Sequence, residues 1–169
     1  GIPIDIVFTS ALKRAKRTAT IALEVAGKSH LPIIENEALN ERHYGDLQGM
    51  NKDEVARRFG EEQFKLWRRS YDVPPPNGES LKMTQERVVP YYERELLPRL
   101  REGKNVLVVA HGNSLRALVM LLERLTPEQI VSTEIPTGIP FGYVIAPDGS
   151  VVEKLGDIAS LARSEHPAT

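Results

Sequence analysis

No cysteine occurs among the 169 residues, which excludes disulfides, thiolate nucleophiles and thiolate-ligated metal sites. Histidine is scarce, and His30, His43, His111 and His166 show no paired metal-ligand spacing, so no metal is expected. An excess of charge of one sign is missing too. The 22 Lys and Arg against 23 Asp and Glu leave a net charge of -1. That balance offers no general positive field for a nucleic acid, although it is compatible with a local cationic pocket. Apolar runs such as 117–122 are far shorter than a bilayer span requires, so no membrane partner is expected.

What is present describes a folded chain. With 41% hydrophobic and 27% charged residues, a chain of this length can bury well over half of its unfolded surface. No internal repeat or linker-like shift in composition divides it, and 1–169 reads as a single domain. The first residue is Gly1, and a strand pattern begins within three positions. The domain therefore reads as N-terminally incomplete, a fragment or a processed chain, and a missing leader carries little weight.

Residues 4–8 read as a strand, followed by a helix over 11–26 with Thr9-Ser10 as its cap, Leu12, Ala15, Ala19, Ala22 and Val25 near helical spacing, and Gly27 as its stop. A short strand is expected at 31–34, then an irregular polar loop over 35–49. Loops of that size often carry function. Asn51 is expected to cap a helix ending at Phe59, and a second short helix covers 61–70. Ser80 is expected to cap a long helix towards Arg101, disturbed by Pro90 and Pro98. The valine-rich run 105–110 fits a strand packed on both faces, in the interior of a parallel sheet. It is followed by a helix over 114–125, a further helix opened by Thr126-Pro127-Glu128, and a hairpin over 141–155 turning at Pro147-Asp148-Gly149. The polar end from Asp157 onward is expected to be mobile. Strands alternating with helices imply an α/β sheet covered on both sides, with ligands at the carboxyl ends of its strands.

Two such ends carry chemistry. His111 closes the valine-rich strand, Gly112 permits close approach, and Asn113-Ser114 opens a helix whose free N–H groups would cradle a phosphate. Arg14 lies one helical turn beyond Ser10 and can reach the same edge. The segment from Asn40 to Gly45 puts Glu41, Arg42, His43 and Tyr44 in one irregular loop. Lys52, Arg68 and Arg69, beside Trp67, would supply cations for a substrate bearing carboxylate and phosphate groups. Gly27-Lys28-Ser29 resembles the end of a P-loop, but a helix precedes it where that motif needs a strand and a glycine-rich loop.

Together, Thr9 to Ala15, Leu39 to Gly45, Trp67 to Tyr71, Pro74-Pro75-Pro76 and Ala110 to Leu118 closely resemble the cofactor-dependent phosphoglycerate mutases of the histidine phosphatase superfamily. The resemblance runs from about Asp5 to Gly156. It implies a three-layer αβα sandwich with a mostly parallel central sheet. It also implies glycolytic interconversion of 2- and 3-phosphoglycerate through a phosphohistidine, primed by 2,3-bisphosphoglycerate and without metal, in the cytoplasm, with a homodimer or homotetramer as the assembly. Carried over by position, Glu41 resembles the family's general acid/base and His111 its second active-site histidine. Arg14 resembles its phosphate clamp, and Arg42, His43, Tyr44, Lys52, Arg68, Arg69, Gly112 and Asn113 its substrate-contacting positions. The short connection between Asp72 and Ser80 is similar to that of the shorter mutases.

One part of the family pattern has no counterpart. Members begin with a central strand ending in Arg-His-Gly, whose histidine is the nucleophile, and here Arg42-His43 is followed by Tyr44. The resemblance therefore implies a nucleophile outside this sequence, and a sheet whose neighbouring strands have backbone hydrogen bonds unmet, with poor stability and no phosphohistidine for the fragment alone. A phosphatase of the same superfamily and a non-catalytic phosphate-ester binding pseudoenzyme are the alternatives.

Overall fold

Val7, Phe8 and Thr9 are completely buried, and their burial fixes the centre of the molecule. The computed structural model describes residues 3–135 and 137–156. In it, strand β1 (Ile6–Thr9) lies between β2 (Ile33–Glu35) and β3 (Val106–Val109), all parallel, in the order β2-β1-β3. Successive strand side chains point to opposite faces. Ile6, Phe8, Val106 and Val108 consequently meet one helical layer, while Val7, Leu107 and Val109 meet the other.

Helix α1 (Lys13–Val25) covers the second face with Ala15, Ala19 and Leu23, spaced four residues apart. Its buried stripe is narrower than the sequence pattern suggests, since Val25 is 86% exposed. Two further helices, α4 (Leu81–Tyr91) and α6 (Gly112–Glu123), cover the first face with Val88, Tyr91, Ala117 and Leu118. The fold is therefore α/β, a parallel sheet between helical layers. Each fully buried Val, Leu or Phe contributes about 1.5–3 kcal/mol, so β1 is the strand on which both layers depend.

One of three expectations is corrected. An absent central strand should leave its neighbours' backbone groups unmet, and among the described residues β3 pairs along one edge only, with β1, from Ile6 opposite Val106 to Thr9 opposite Val109, while the hairpin expected over 141–155 forms a separate sheet. With β2 on its other side, β1 has a ladder on each edge. Both strands are parallel, four residues long and apolar on both faces, which is what a shared ladder needs. The valine-rich strand does pack on both faces, but it lies at the edge of the sheet, and β3 is only half-buried. The long helix after Ser80 reaches Arg101 and is disturbed as expected: α4 gives way to one wide turn, Tyr92–Leu96, where Leu97 N–H donates to Tyr92 O five residues back, before α5 (Leu97–Arg101). Pro90 and Pro98, each lacking an amide donor, bracket that turn.

The remaining elements are set by local chemistry. Asn51 and Glu54 form a reciprocal cap on α2 (Lys52–Phe59), and Thr126 and Gln129 form another on α7 (Pro127–Ser132). Between α2 and α4 lies α3 (Glu61–Arg69). The hairpin of β4 (Phe141–Ile145) and β5 (Val151–Gly156) forms its own antiparallel sheet. It is tied to α6 through Tyr143 and Lys154, both bonded to Glu123, and to α5 through Arg101 Nε, which donates to Pro147 O (3.1 Å). The polar end, 157–169, lies outside the described residues. Among those described, no helix is long and apolar enough to cross a membrane.

Candidate active site

The carboxyl ends of β1 and β3 bring Ser10 and His111 together. Ser10 follows β1 directly, and its Oγ lies 2.7 Å from His111 Nε2, with both residues buried. Ser10 is not the cap of α1, which starts at Lys13 behind Leu12 with no side-chain cap; the Ser10 Oγ accepts from Leu12 N–H (3.3 Å) while it reaches across the sheet to His111. The other ring nitrogen of His111, Nδ1, lies 3.3 Å from Arg14 Nη2. A guanidinium can only donate, so Nδ1 accepts and the neutral imidazole carries its proton on Nε2, which donates to Ser10. Burial lowers the His111 pKa from its ordinary value; the Glu41 charge opposes this, and Arg14 and Arg87 add to it.

Glu41 arrives from the irregular segment between β2 and α2, which contains single helical turns at Glu37–Leu39 and Gly45–Leu47. Its Oε1 accepts from the main-chain N–H of Arg42 (2.8 Å) and of Asn113 (3.1 Å), the latter in the first turn of α6. The helix terminus expected to cradle a phosphate thus engages this carboxylate, an anion favoured there by the same field. Asn113 serves the site a second time, because its Nδ2 donates to Tyr44 Oη (3.1 Å).

Beside these groups opens a cavity of about 790 Å³, lined by Arg42, Tyr44, Lys52, Arg68, Gly112 and Asn113, with Trp67, Arg116 and Glu134 among others. Among the described residues, four cationic side chains face it against one carboxylate, that of Glu134. Arg42 is the most constrained of them. It is buried, lies over the Tyr44 ring at 4.7 Å, and donates through Nη1 to Trp67 O (3.2 Å) and Glu79 O (3.3 Å). Its Nε and that of Arg116 are buried without a hydrogen-bond partner among the described residues. Trp67 is held by the edge-on ring of Phe59 at 5.0 Å. No group of three or more His, Cys, Asp or Glu among the described residues is placed to hold a metal ion.

The two other site candidates fall differently. His43 does not line this cavity; its Nδ1 accepts from Gly45 N–H (3.0 Å), and it faces a smaller hollow of about 390 Å³ with Glu41, Glu79 and Arg87. Arg69 ends α3, and its side chain lies outside the described residues. Sequence reasoning missed Arg116. Its Nη1 donates to Asn113 Oδ1 (3.2 Å) and its Nη2 donates to Ile130 O, so it braces Asn113 against the segment that walls the cavity. An arginine amid Leu115, Ala117 and Leu118 on a mostly buried helix was the available signal, since such a cation must find acceptors.

Comparison with known proteins bears on this arrangement. The sequence profile described as histidine phosphatase superfamily (branch 1) matches residues 1–157. The chain belongs to that superfamily. Within it, the chain is 56% identical to the 2,3-bisphosphoglycerate-dependent phosphoglycerate mutase of Parvibaculum lavamentivorans, over 91% of this chain and 73% of that protein. It is 58% identical to the enzyme of the same name from a Methylobacterium species, over 91% and 74%. It is 55% identical to the phosphoglycerate mutase of Schizosaccharomyces pombe, over 91% and 73%. Among solved structures it is similar to YhfR of Bacillus stearothermophilus, with a TM-score of 0.77 at 25% identity over 89% of this chain and 72% of that one. It is also similar to the alpha-ribazole phosphatase of Shigella flexneri, with a TM-score of 0.71 at 25% identity over 92% and 74%. The superfamily's mutase relatives are thus much nearer in sequence than these structural neighbours.

Proposed function

We propose that this protein interconverts 2-phosphoglycerate and 3-phosphoglycerate, primed by 2,3-bisphosphoglycerate, as a glycolytic mutase. The observation that carries the reading is the juxtaposition of the Glu41 carboxylate, the His111 imidazole and the Arg14 guanidinium beside a cavity walled by Arg42, Lys52, Arg68 and Arg116. The mutase names of relatives at 54–58% identity support it.

Phosphoryl transfer is catalysed chiefly by positioning and by charge placed around the moving group. Glu41 is assigned the acid/base role: both amide donors aim at Oε1, leaving Oε2 to take and return a substrate proton. His111 and Arg14 are assigned to the phosphoryl oxygens. Arg42, Tyr44, Lys52, Arg68, Gly112 and Asn113 hold the remaining anionic groups; His43 and Arg69 belong to the same proposed set on the strength of the family pattern. Cations in excess of carboxylates fit a polyanion of the primer's kind. When bound, 2,3-bisphosphoglycerate supplies the phosphoryl group that primes the cycle. The reading places the nucleophilic histidine outside the four of this sequence. It also carries a cytoplasmic location and a homodimer or homotetramer.

The test is turnover by the full-length protein, followed by phosphorus NMR with 3-phosphoglycerate and primer. Appearance of 2-phosphoglycerate supports the mutase. Inorganic phosphate as the main product would replace it with the phosphatase, and saturable binding with neither product would leave a binding module.

A further inference from the structure

The chain between residues 38 and 43 belongs to no strand or helix beyond its first turn, so its carbonyl groups need acceptor-seeking partners from elsewhere. One side chain supplies three of them. Arg87, on α4 beside the fully buried Val88, donates through Nη1 to Ala38 O (2.6 Å) and through Nη2 to Asn40 O (3.0 Å) and Glu41 O (3.2 Å). The other side of its fork meets Glu79, Nε on Oε2 and Nη2 on Oε1, both at 2.9 Å.

Glu79 then grips the far end of the same loop. Its Oε1 accepts from His43 N–H (3.0 Å), its own N–H donates to His43 O (2.7 Å), and its carbonyl accepts from Arg42. Burial would raise the Glu79 carboxyl, but the Arg87 hydrogen bonds and the His43 amide hold it below its usual range. Glu41 is therefore clamped at its own carbonyl and on both flanks, and the clamp is rooted in a core helix.

We propose that Arg87, held by Glu79, is a positioning residue that aims the Glu41 carboxylate at the α6 terminus and the substrate. A lysine could not replace it, because one ammonium cannot meet three carbonyls and a carboxylate lying in different directions around a planar fork. The proposal rests on the mutase reading, in which Glu41 moves the proton.

A double-mutant cycle in the full-length protein tests it: wild type, Arg87→Met, Glu41→Gln and the double variant, each with kcat, KM for 3-phosphoglycerate and a melting curve. The expected loss of kcat for Arg87→Met is about 100-fold, the scale of a 1 Å misplacement of a reacting group. KM should change little. In the Glu41→Gln background the same change should alter kcat by no more than about twofold, the scatter of independent sites, because the group it aims is already gone. A merely structural role would lower kcat by the same factor in both backgrounds, and that result overturns the proposal. So does a single variant with wild-type kcat, or one altered only in KM. If Arg87→Met fails to fold, Arg87→Lys, which keeps the charge and the stem, is judged by the same criteria. Failure of the wild type to interconvert the phosphoglycerates overturns the mutase reading itself, and is distinguishable from additive losses in an active enzyme.

Discussion

Gly45 offers the sharpest test of how the cavity rim is built. Its φ is +59°, and a Cβ placed there would lie 2.1 Å from Pro76 O and 2.5 Å from both Asn77 C and Gly78 N. These are main-chain atoms that cannot rotate away. The close approach brings Asp46 N–H to Pro76 O (2.9 Å) and Glu79 N–H to His43 O (2.7 Å), fastening the Glu41 loop to the turn before α4. In Gly45→Ala the left-handed conformation alone costs about 1–2 kcal/mol. Relief of the clash would separate the two segments, and each of the two hydrogen bonds lost adds about 0.5–1.5 kcal/mol. The expected destabilisation is thus about 2–5 kcal/mol. Gly27 is the control: its φ is +69° with nothing within 4 Å of its notional Cβ, so Gly27→Ala should show the conformational cost only. Urea denaturation of both variants at one pH measures the difference. Equal destabilisation of the two would refute the close-packed rim and, with it, the account of how the loop is held.

Two further outcomes follow from the site. Glu41→Gln keeps the shape of the side chain and removes its basicity, so kcat for phosphoglycerate interconversion should fall by about 10²–10⁴-fold with an unchanged melting temperature; near wild-type turnover would remove Glu41 from the acid/base role. His111 has a folded pKa below its ordinary value of 6.5, so the unfolded chain binds more protons between the two values. Its contribution to stability is full above pH 6.5 and is lost as pH falls below that; the excess stability of wild type over His111→Gln should accordingly shrink between pH 8 and about 5 in urea midpoints. A pH-independent difference would contradict the buried, neutral imidazole.

The features that could be read in the sequence were those decided within a few residues. Asn51, Ser80 and Thr126 cap helices because each side chain reaches an amide three positions on, and the structure places all three as caps. The hairpin around Asp148-Gly149 is local in the same sense. Ser10 shows where this reasoning fails. It has the chemistry of a cap, but its hydroxyl meets His111, 101 positions away, and no short-range pattern reveals that partner. The edge position of β3 was hidden for a related reason: an apolar run reports how both faces are packed and carries no information about which edge is paired. Arg87 could have been suspected from its place beside Val88 on the inward side of an amphipathic helix. The carbonyls it serves become visible only once the chain is folded.

The use of the α6 terminus by Glu41 has a consequence for how an anionic substrate is held. Asn113 N–H is one donor of the first helical turn, and the carboxylate that takes it is also held by Arg42 N–H at 2.8 Å. A phosphate competing for that amide would have to displace a charged group bonded twice, at the cost of charge-assisted hydrogen bonds stronger than neutral ones. On the proposed reading, the affinity for phosphate then comes from side chains, those of His111 and Arg14 together with those on the cavity wall. Of these, Lys52 and Arg68 are exposed and Arg42 is buried. Exposed charges are screened within about 8 Å at physiological ionic strength, whereas buried ones are screened far less. Raising the salt should therefore weaken substrate binding in wild type, and the dependence should flatten when Lys52 and Arg68 are both neutralised, while the contribution of Arg42 persists. An unchanged salt dependence in that double variant would return the phosphate to the helix terminus and displace Glu41 from it.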